Sequence, residues 1–287
     1  MKVLILAIAL SSALLPGSAG FREEALGPLE TTSLLGQQLH ASPDDGTIAA
    51  AQQKLATDPN NVQLILALSR AQASRRQYKE AVAACTAGLK LAPDSADLLL
   101  ERGHRELGLR EFTTAQADLE RAAKLNPKQL ETFYHLGLAN YFQGKFTTAA
   151  ESFRTALNLA QNSDSVIDCS NWLYVSLRRA GNKTEAAQVL TRITPDVQNK
   201  EPHLAFYLKL LHFYRGAASE KAILPPKPSS PDDVEAELAF DTVSYGVGNW
   251  RLYNGDRQTA RDLFRQVVTG HAWNSWGFIG SEVELSR

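Results

Sequence analysis

Glu101 and His104 stand three residues apart, and Glu131 and His135 stand four apart. On a helix, either spacing puts both side chains on one face. Two carboxylates and two imidazoles drawn together would suit zinc or iron and would activate water for hydrolysis. The plainer reading is solvated ion pairing with the adjacent Arg102 and Arg105. No stronger chemistry competes: the chain has no P-loop, no GxGxxG opening a helix, no HExxH and no GxSxG elbow. Neither Cys85 nor Cys169 has a histidine at local spacing. A non-catalytic protein needing no cofactor or metal is therefore expected, with a metal-assisted hydrolase built on the Glu/His cluster as the alternative.

The elements that would position these residues are written in a period of 34. Pro59, Pro93 and Pro127 recur at that step, as do Ala81, Ala115 and Ala149. Tyr78, Phe112 and Phe146 share it, with Leu91, Leu125 and Leu159, and Gly103 with Gly137. Five classes of position at one interval mark an internal repeat. Each unit reads as two helices. In the third, Glu131 to Gln143 carries apolar residues at i, i+3, i+4 spacing, Gly144-Lys145 makes the turn, and Phe146 to Leu159 follows. The alanines fall where paired helices approach most closely, and the prolines end second helices because they lack an amide donor.

These residues resemble the tetratricopeptide repeat family. The matches are the small residue at the eighth position (Ser69, Gly103, Gly137), the aromatic at the seventeenth and the alanine at the twentieth. Cys85, Leu119 and Phe153 occupy the twenty-fourth, and Gly88, Ala122 and Ala156 the twenty-seventh. The resemblance covers most of Thr47–Thr269 and is most specific over Val62–Leu159. It implies an all-α fold, a right-handed α-solenoid of stacked helix-turn-helix repeats with a C-terminal capping helix. The organisation expected is an N-terminal extension over 20–46, the solenoid over 47–216, a proline-rich linker or loop over 217–233, and a final unit with its cap over 234–287. Gln72, Glu106 and Asn140 depart from the aromatic usual at the eleventh position. Trp273, Trp276, Phe278 and Ile279 are expected to cover the last repeat, with Glu282, Glu284 and Ser286 turned to water as solenoid ends require.

The same resemblance implies a concave groove, lined by first helices, that holds a protein or peptide partner. Carried over by position, its candidate contacts are Arg70, His104, Tyr134 and Tyr141, then Asn171, Arg178, Tyr245 and Asn249. Tyrosine and arginine are favoured interface anchors. The lysine–asparagine–arginine clamp by which some relatives grip a carboxyl terminus is missing, since Glu101 and Glu131 fall among its positions. A formal net charge of −1, from 30 basic and 31 acidic residues, gives no basic excess for nucleic acid. A third possibility is an accessory subunit docking on a membrane assembly by its convex face.

Met1-Lys2, the apolar stretch Val3 to Leu15 and the small residues Gly17 and Ala19 read as a secretory signal peptide over 1–19. The stretch is too short to span a bilayer. Export to the bacterial cell envelope, periplasmic or secreted, is the expectation. Cys85 and Cys169 fall three repeats apart, so two buried free thiols are expected rather than a disulfide.

Overall fold

The computed structural model describes residues 27–230 and 232–287, so the expected signal peptide lies outside the described residues. A β-hairpin, β1 (Leu29–Thr32) and β2 (Gln38–His40), precedes the helices. Four helical pairs follow: α2 (Val62–Ser74) with α3 (Tyr78–Leu91), α4 (Ala96–Gly108) with α5 (Phe112–Leu125), α6 (Leu130–Phe142) with α7 (Phe146–Leu159), and α8 (Ser163–Arg179) with α9 (Lys183–Leu190). Helix α1 (Thr47–Thr57) leads them. Then come α10 (Leu204–Tyr214), the short α11 (Glu220–Ile223), a last pair α12 (Val234–Tyr253) and α13 (Arg257–Val267), and α14 (Trp276–Ser286). Each helix packs on the next from α1 to α9 and again from α12 to α14, α10 packs on α8 and α12, and first helices α2, α4 and α6 also touch one another, which is the contact pattern of an α-solenoid.

Local chemistry accounts for the boundaries. Asn61, Ser95, Asn162, Asp233 and Asp256 each accept a backbone N–H of the first turn of the helix they cap. One turn motif is used six times, within each of the five helix pairs and again after α10. The amide of Gln77, Glu111, Lys145, Asn182, Ala217 and Asp256 donates to the carbonyl five residues back, at 2.8–3.0 Å. The residue before each has positive φ: Arg76, Arg110, Gly144, Gly181, Gly216 and Gly255. This is the Schellman closure, and four of the six positions hold the glycine it favours.

Inside the pairs, Ala81, Ala115 and Ala149 are fully buried. A Cβ on Gly137 would stand 2.7 Å from the Phe153 ring, and one on Gly103 would stand 2.8 Å from Leu119 Cγ. Both glycines therefore let a neighbouring side chain lie against the helix backbone. Cys85 and Cys169 are buried, free thiols.

Two features depart from the sequence reading. The extension before residue 47 contains the hairpin, so the helical array carries a small piece of sheet. Its Glu30 accepts the Lys79 amide at 2.6 Å, satisfying a donor at the start of α3, and Leu39 and Ala41 are buried. The hairpin also reaches the far end of the chain. Gln37 Nε2 donates to the Val268 carbonyl at 3.1 Å, and Trp273 Nε1 donates to the His40 carbonyl at 3.0 Å. Tyr78 of the first pair packs edge-on against Trp273, with centroids 5.4 Å apart. The array thus curls until its beginning meets its end. The second departure is α14, whose glutamates are buried.

Replacing Ala149 with Leu is expected to lower the unfolding free energy by about 1–3 kcal/mol through overpacking between α6 and α7. Glu151→Gln, on the exposed side of α7, should change it by less than about 0.5 kcal/mol. Urea denaturation of both variants against wild type measures the contrast.

Candidate functional site

The trough expected between the first helices is filled by the chain's own α14. This helix packs on α12 and α13 and turns its other side to α4, α6 and α8. Gly277 and Gly280 make that possible. A Cβ on either would overlap the Asp241 carbonyl or the Tyr245 ring of α12. Trp276 then meets His104 at 5.6 Å, His135 at 6.1 Å and Phe142 at 6.2 Å between ring centroids.

Two ion pairs fasten this helix, and both correct the expected polar outer face. Arg110 Nη2 lies 2.7 Å from Glu282 Oε2, with the two side chains 3% and 0% exposed. Its guanidinium also donates to the carbonyls of Trp273, at 2.9 Å, and Gly108. Arg179 grips Glu284 with both nitrogens, at 2.7 and 3.1 Å, and Arg287 shares the same carboxylate at 2.6 Å. Arg287 further donates to the Phe142 carbonyl at 3.1 Å. Glutamates that look like solvated cap residues in sequence are partners for arginines more than a hundred positions away.

The closure sorts the expected groove residues. Tyr141, Asn171, Tyr245 and Asn249 are interior. The Tyr141 hydroxyl donates to Asn249 Oδ1 at 3.2 Å and accepts from the Tyr245 hydroxyl at 3.2 Å, while Arg179 donates to Asn249 Oδ1 at 2.9 Å. They join α6, α8 and α12 and offer a partner no surface. Arg70 and His104 line an open cleft of about 470 Å³ between α2 and α4 on one side and α10, α12 and α14 on the other. Tyr78, Arg105, Phe206, Tyr207 and Trp276 complete its walls. Phe206, Tyr207 and Trp276 were absent from the expected set because no repeat position marks them. Tyr134 borders a second cleft of about 250 Å³ with Glu131, His135, Asp168 and Glu201, and His203 lines both. Arg178 lines a separate cleft near the end of α8.

The Glu/His cluster is split. The His104 and His135 rings do meet, 4.0 Å between centroids. Glu101 instead holds Arg105 at 2.7 Å and Arg70 at 3.4 Å, and Glu131 is exposed, with only its carbonyl accepting from His135 Nδ1 at 2.7 Å. Among the described residues no group of three or more histidine, cysteine or acidic side chains is placed to hold a metal. Burial pushes His104 well down, and it pushes His135 down to about 4, with Arg105 acting the same way. Both imidazoles are neutral near pH 7 and pack against each other as rings tilted by 35°.

A tetratricopeptide repeat family model matches residues 100–165, which span α4 to the start of α8. That stretch carries tetratricopeptide repeats. Among solved structures, a crystal structure of MamA protein is 24% identical over 52% of this chain and 79% of that one, with a TM-score of 0.46. MamA from Desulfovibrio magneticus RS-1 is 21% identical, covering 50% and 80%, with a TM-score of 0.45. YrrB, described as a TPR protein with an unusual peptide-binding site, is 14% identical, covering 77% and 92%, with a TM-score of 0.47. No curated protein matches the chain. Gln72, Glu106 and Asn140, at equivalent points of successive helix pairs, lie in the interior, at the carbonyls that receive the Schellman bonds.

Asp168, on α8, accepts the Tyr134 hydroxyl at 2.9 Å. Burial pushes its carboxyl up to about 7, against the lowering effect of that hydrogen bond. An ordinary unfolded aspartate releases its proton near pH 3.9. Between those values the folded chain holds a proton that the unfolded chain has lost, so this group's contribution to stability falls as pH rises. Asp168→Asn lacks that dependence. The variant's stability relative to wild type should climb from pH 4 to pH 7 and level off above it, read from urea midpoints; a constant difference would refute the assignment.

Arg110→Gly relieves a left-handed backbone but leaves Glu282 buried without its cation. It should cost about 3–5 kcal/mol. Adding Glu282→Leu should recover part of the loss, so that the double variant falls short of the sum of the singles in guanidinium denaturation.

Proposed function

We propose that this chain is a non-catalytic scaffold that binds a short segment of a partner polypeptide. The site is the cleft between α2–α4 and α10, not a groove running the length of the repeats. The observation carrying this reading is the open volume of about 470 Å³ where Arg70, His104 and Arg105 face Phe206, Tyr207 and Trp276. Aromatic rings on a rigid framework supply contact area at low entropic cost. Arg70, 63% exposed and held to Glu101 only at 3.4 Å, stands at the rim, available to a carboxylate. The lining therefore suits an apolar or aromatic anchor flanked by an acidic residue. Mixed charge and wall aromatics fit polypeptide better than nucleic acid.

The setting we propose is the bacterial cell envelope. Lys2, the apolar run to Leu15 and the small residues before Gly20 support export with cleavage after Ala19. Among the described residues no helix is long and apolar enough to cross a membrane.

The test is crosslinking and pull-down from the native envelope fraction with wild type and with Arg70→Ala/His104→Ala. Glu101 keeps Arg105 in that variant, so the fold should survive. At least one partner captured by wild type should fall several-fold in the double variant. Identical capture by the two proteins would refute the cleft as the binding site.

A further inference from the structure

Arg178 and Arg179 end α8, Arg257 and Arg261 stand one turn apart on α13, and Arg287 follows α14. All five line one open cleft of about 520 Å³, together with Tyr253 and a single carboxylate, Glu284. This cleft shares no lining residue with the one proposed for peptide binding.

The charges do not balance. Glu284 is divided between Arg179 and Arg287. Arg178 bonds only to neutral groups, the Tyr174 hydroxyl at 3.1 Å and Asn254 Oδ1 at 3.0 Å. Among the described residues no carboxylate lies within 4.0 Å of the Arg257 or Arg261 guanidinium. Asp256, next in the chain, is already engaged by Arg251 at 3.3 Å and by the Thr259 amide at 3.2 Å. Two polar atoms are also buried without partners, Arg178 Nε and the Tyr253 hydroxyl.

Three of the five cations are held in place by aromatic rings, and Arg257 and Arg261 stand free at the rim. The Arg178 guanidinium lies 4.2 Å over the Tyr253 ring, Arg179 lies 4.3 Å over Phe146, and Arg287 lies 5.5 Å from the same ring. Gathering like charges is unfavourable unless an anion answers them. Guanidinium forks match phosphate oxygens two at a time, and Arg178, stacked on Tyr253, loses little freedom on binding. We propose that this cleft binds a small phosphate-bearing polyanion of the diphosphate class. Two or more negative charges would be shared by Arg178, Arg257 and Arg261, the three arginines that Glu284 does not serve.

The experiment is calorimetric titration of the full chain with inorganic pyrophosphate at low salt, where exposed charges are least screened. Wild type should bind saturably, and binding should weaken as salt is raised. Arg257→Gln/Arg261→Gln, at surface positions, should keep the wild-type melting temperature and lose affinity at least about tenfold. Arg178→Lys keeps the charge, removes the fork, and should also weaken binding. In parallel, flotation with phosphatidylglycerol–phosphatidylcholine vesicles separates the sources. Wild-type flotation that the double variant loses assigns the phosphate to a lipid headgroup, whereas pyrophosphate binding without flotation assigns it to a soluble ligand. Binding to neither probe, or binding undiminished in Arg257→Gln/Arg261→Gln, overturns the proposal.

Discussion

A charge taken out of water must find an opposite charge and enough hydrogen bonds, or the fold that buries it is penalised by several kcal/mol. Arg110 and Glu282 answer each other's charge across 172 positions of sequence, two guanidinium nitrogens meeting Glu282 Oε2, and much of the molecule follows from that pairing. Glu282 can lie in the interior only if α14 presents this side to α4. With that orientation set, Glu284 falls against Arg179, and Trp276 falls against the His104–His135 pair. The glycines on the opposite side of α14 then face α12 at backbone distance. Satisfying one pair therefore selects a single seating for the helix, which apolar contact alone would leave free to slide or rotate.

The repeated turn shows how the closure is built into the repeats themselves. Six turns share one hydrogen-bond pattern and one left-handed residue, and glycine is the inexpensive choice there. Arg76 and Arg110 accept the strained conformation because their side chains do something glycine cannot. Arg76 reaches the His271 carbonyl at 3.2 Å, and Arg110 reaches Glu282 and the Trp273 carbonyl. At the third turn the position is Gly144, and the arginine comes from the other side: Arg287 Nη2 would lie 3.3 Å from a Cβ placed there. Successive repeats are thus tied to the segment between His271 and Arg287 by one arginine each.

What could be read from sequence followed the range of the interaction. Phe146–Leu159 is the helix its periodicity describes, and Leu130–Phe142 begins and ends within a residue of expectation. Helix boundaries depend on caps, turns and a nearest-neighbour face, all encoded within one period of 34. The hairpin and the seating of α14 depend on partners more than a hundred residues away, and no local pattern announces them. Glu282 and Glu284 mimic a solvated helix end in composition. Two clues were nonetheless present: arginine at a turn position where the third repeat has glycine, and Gly277 with Gly280 one helical turn apart on an otherwise apolar segment. Histidines 104 and 135 illustrate the converse. Their convergence was legible from the stacking of first helices, but their chemistry was not, because burial keeps them neutral and Trp276, which packs on both rings, is distant in sequence.

Closure also changes what kind of recognition the repeats can support. An open concave face offers a groove the length of the array, long enough for a helix. Here that length is already taken by an eleven-residue helix of the same chain. The open spaces are separate clefts of a few hundred cubic ångströms, a size that encloses a small ligand or a few side chains. Binding in such spaces is decided by one or two anchors in rigid pockets, with little contribution from extended complementarity. The walls of the clefts beside Arg70 and beside Arg178 come from distant parts of the chain, first helices on one side and later helices with the C-terminal segment on the other. Trp276 walls the first of these and Glu284 the second, so the seating of α14, fixed by its buried ion pairs, sets the shape of both.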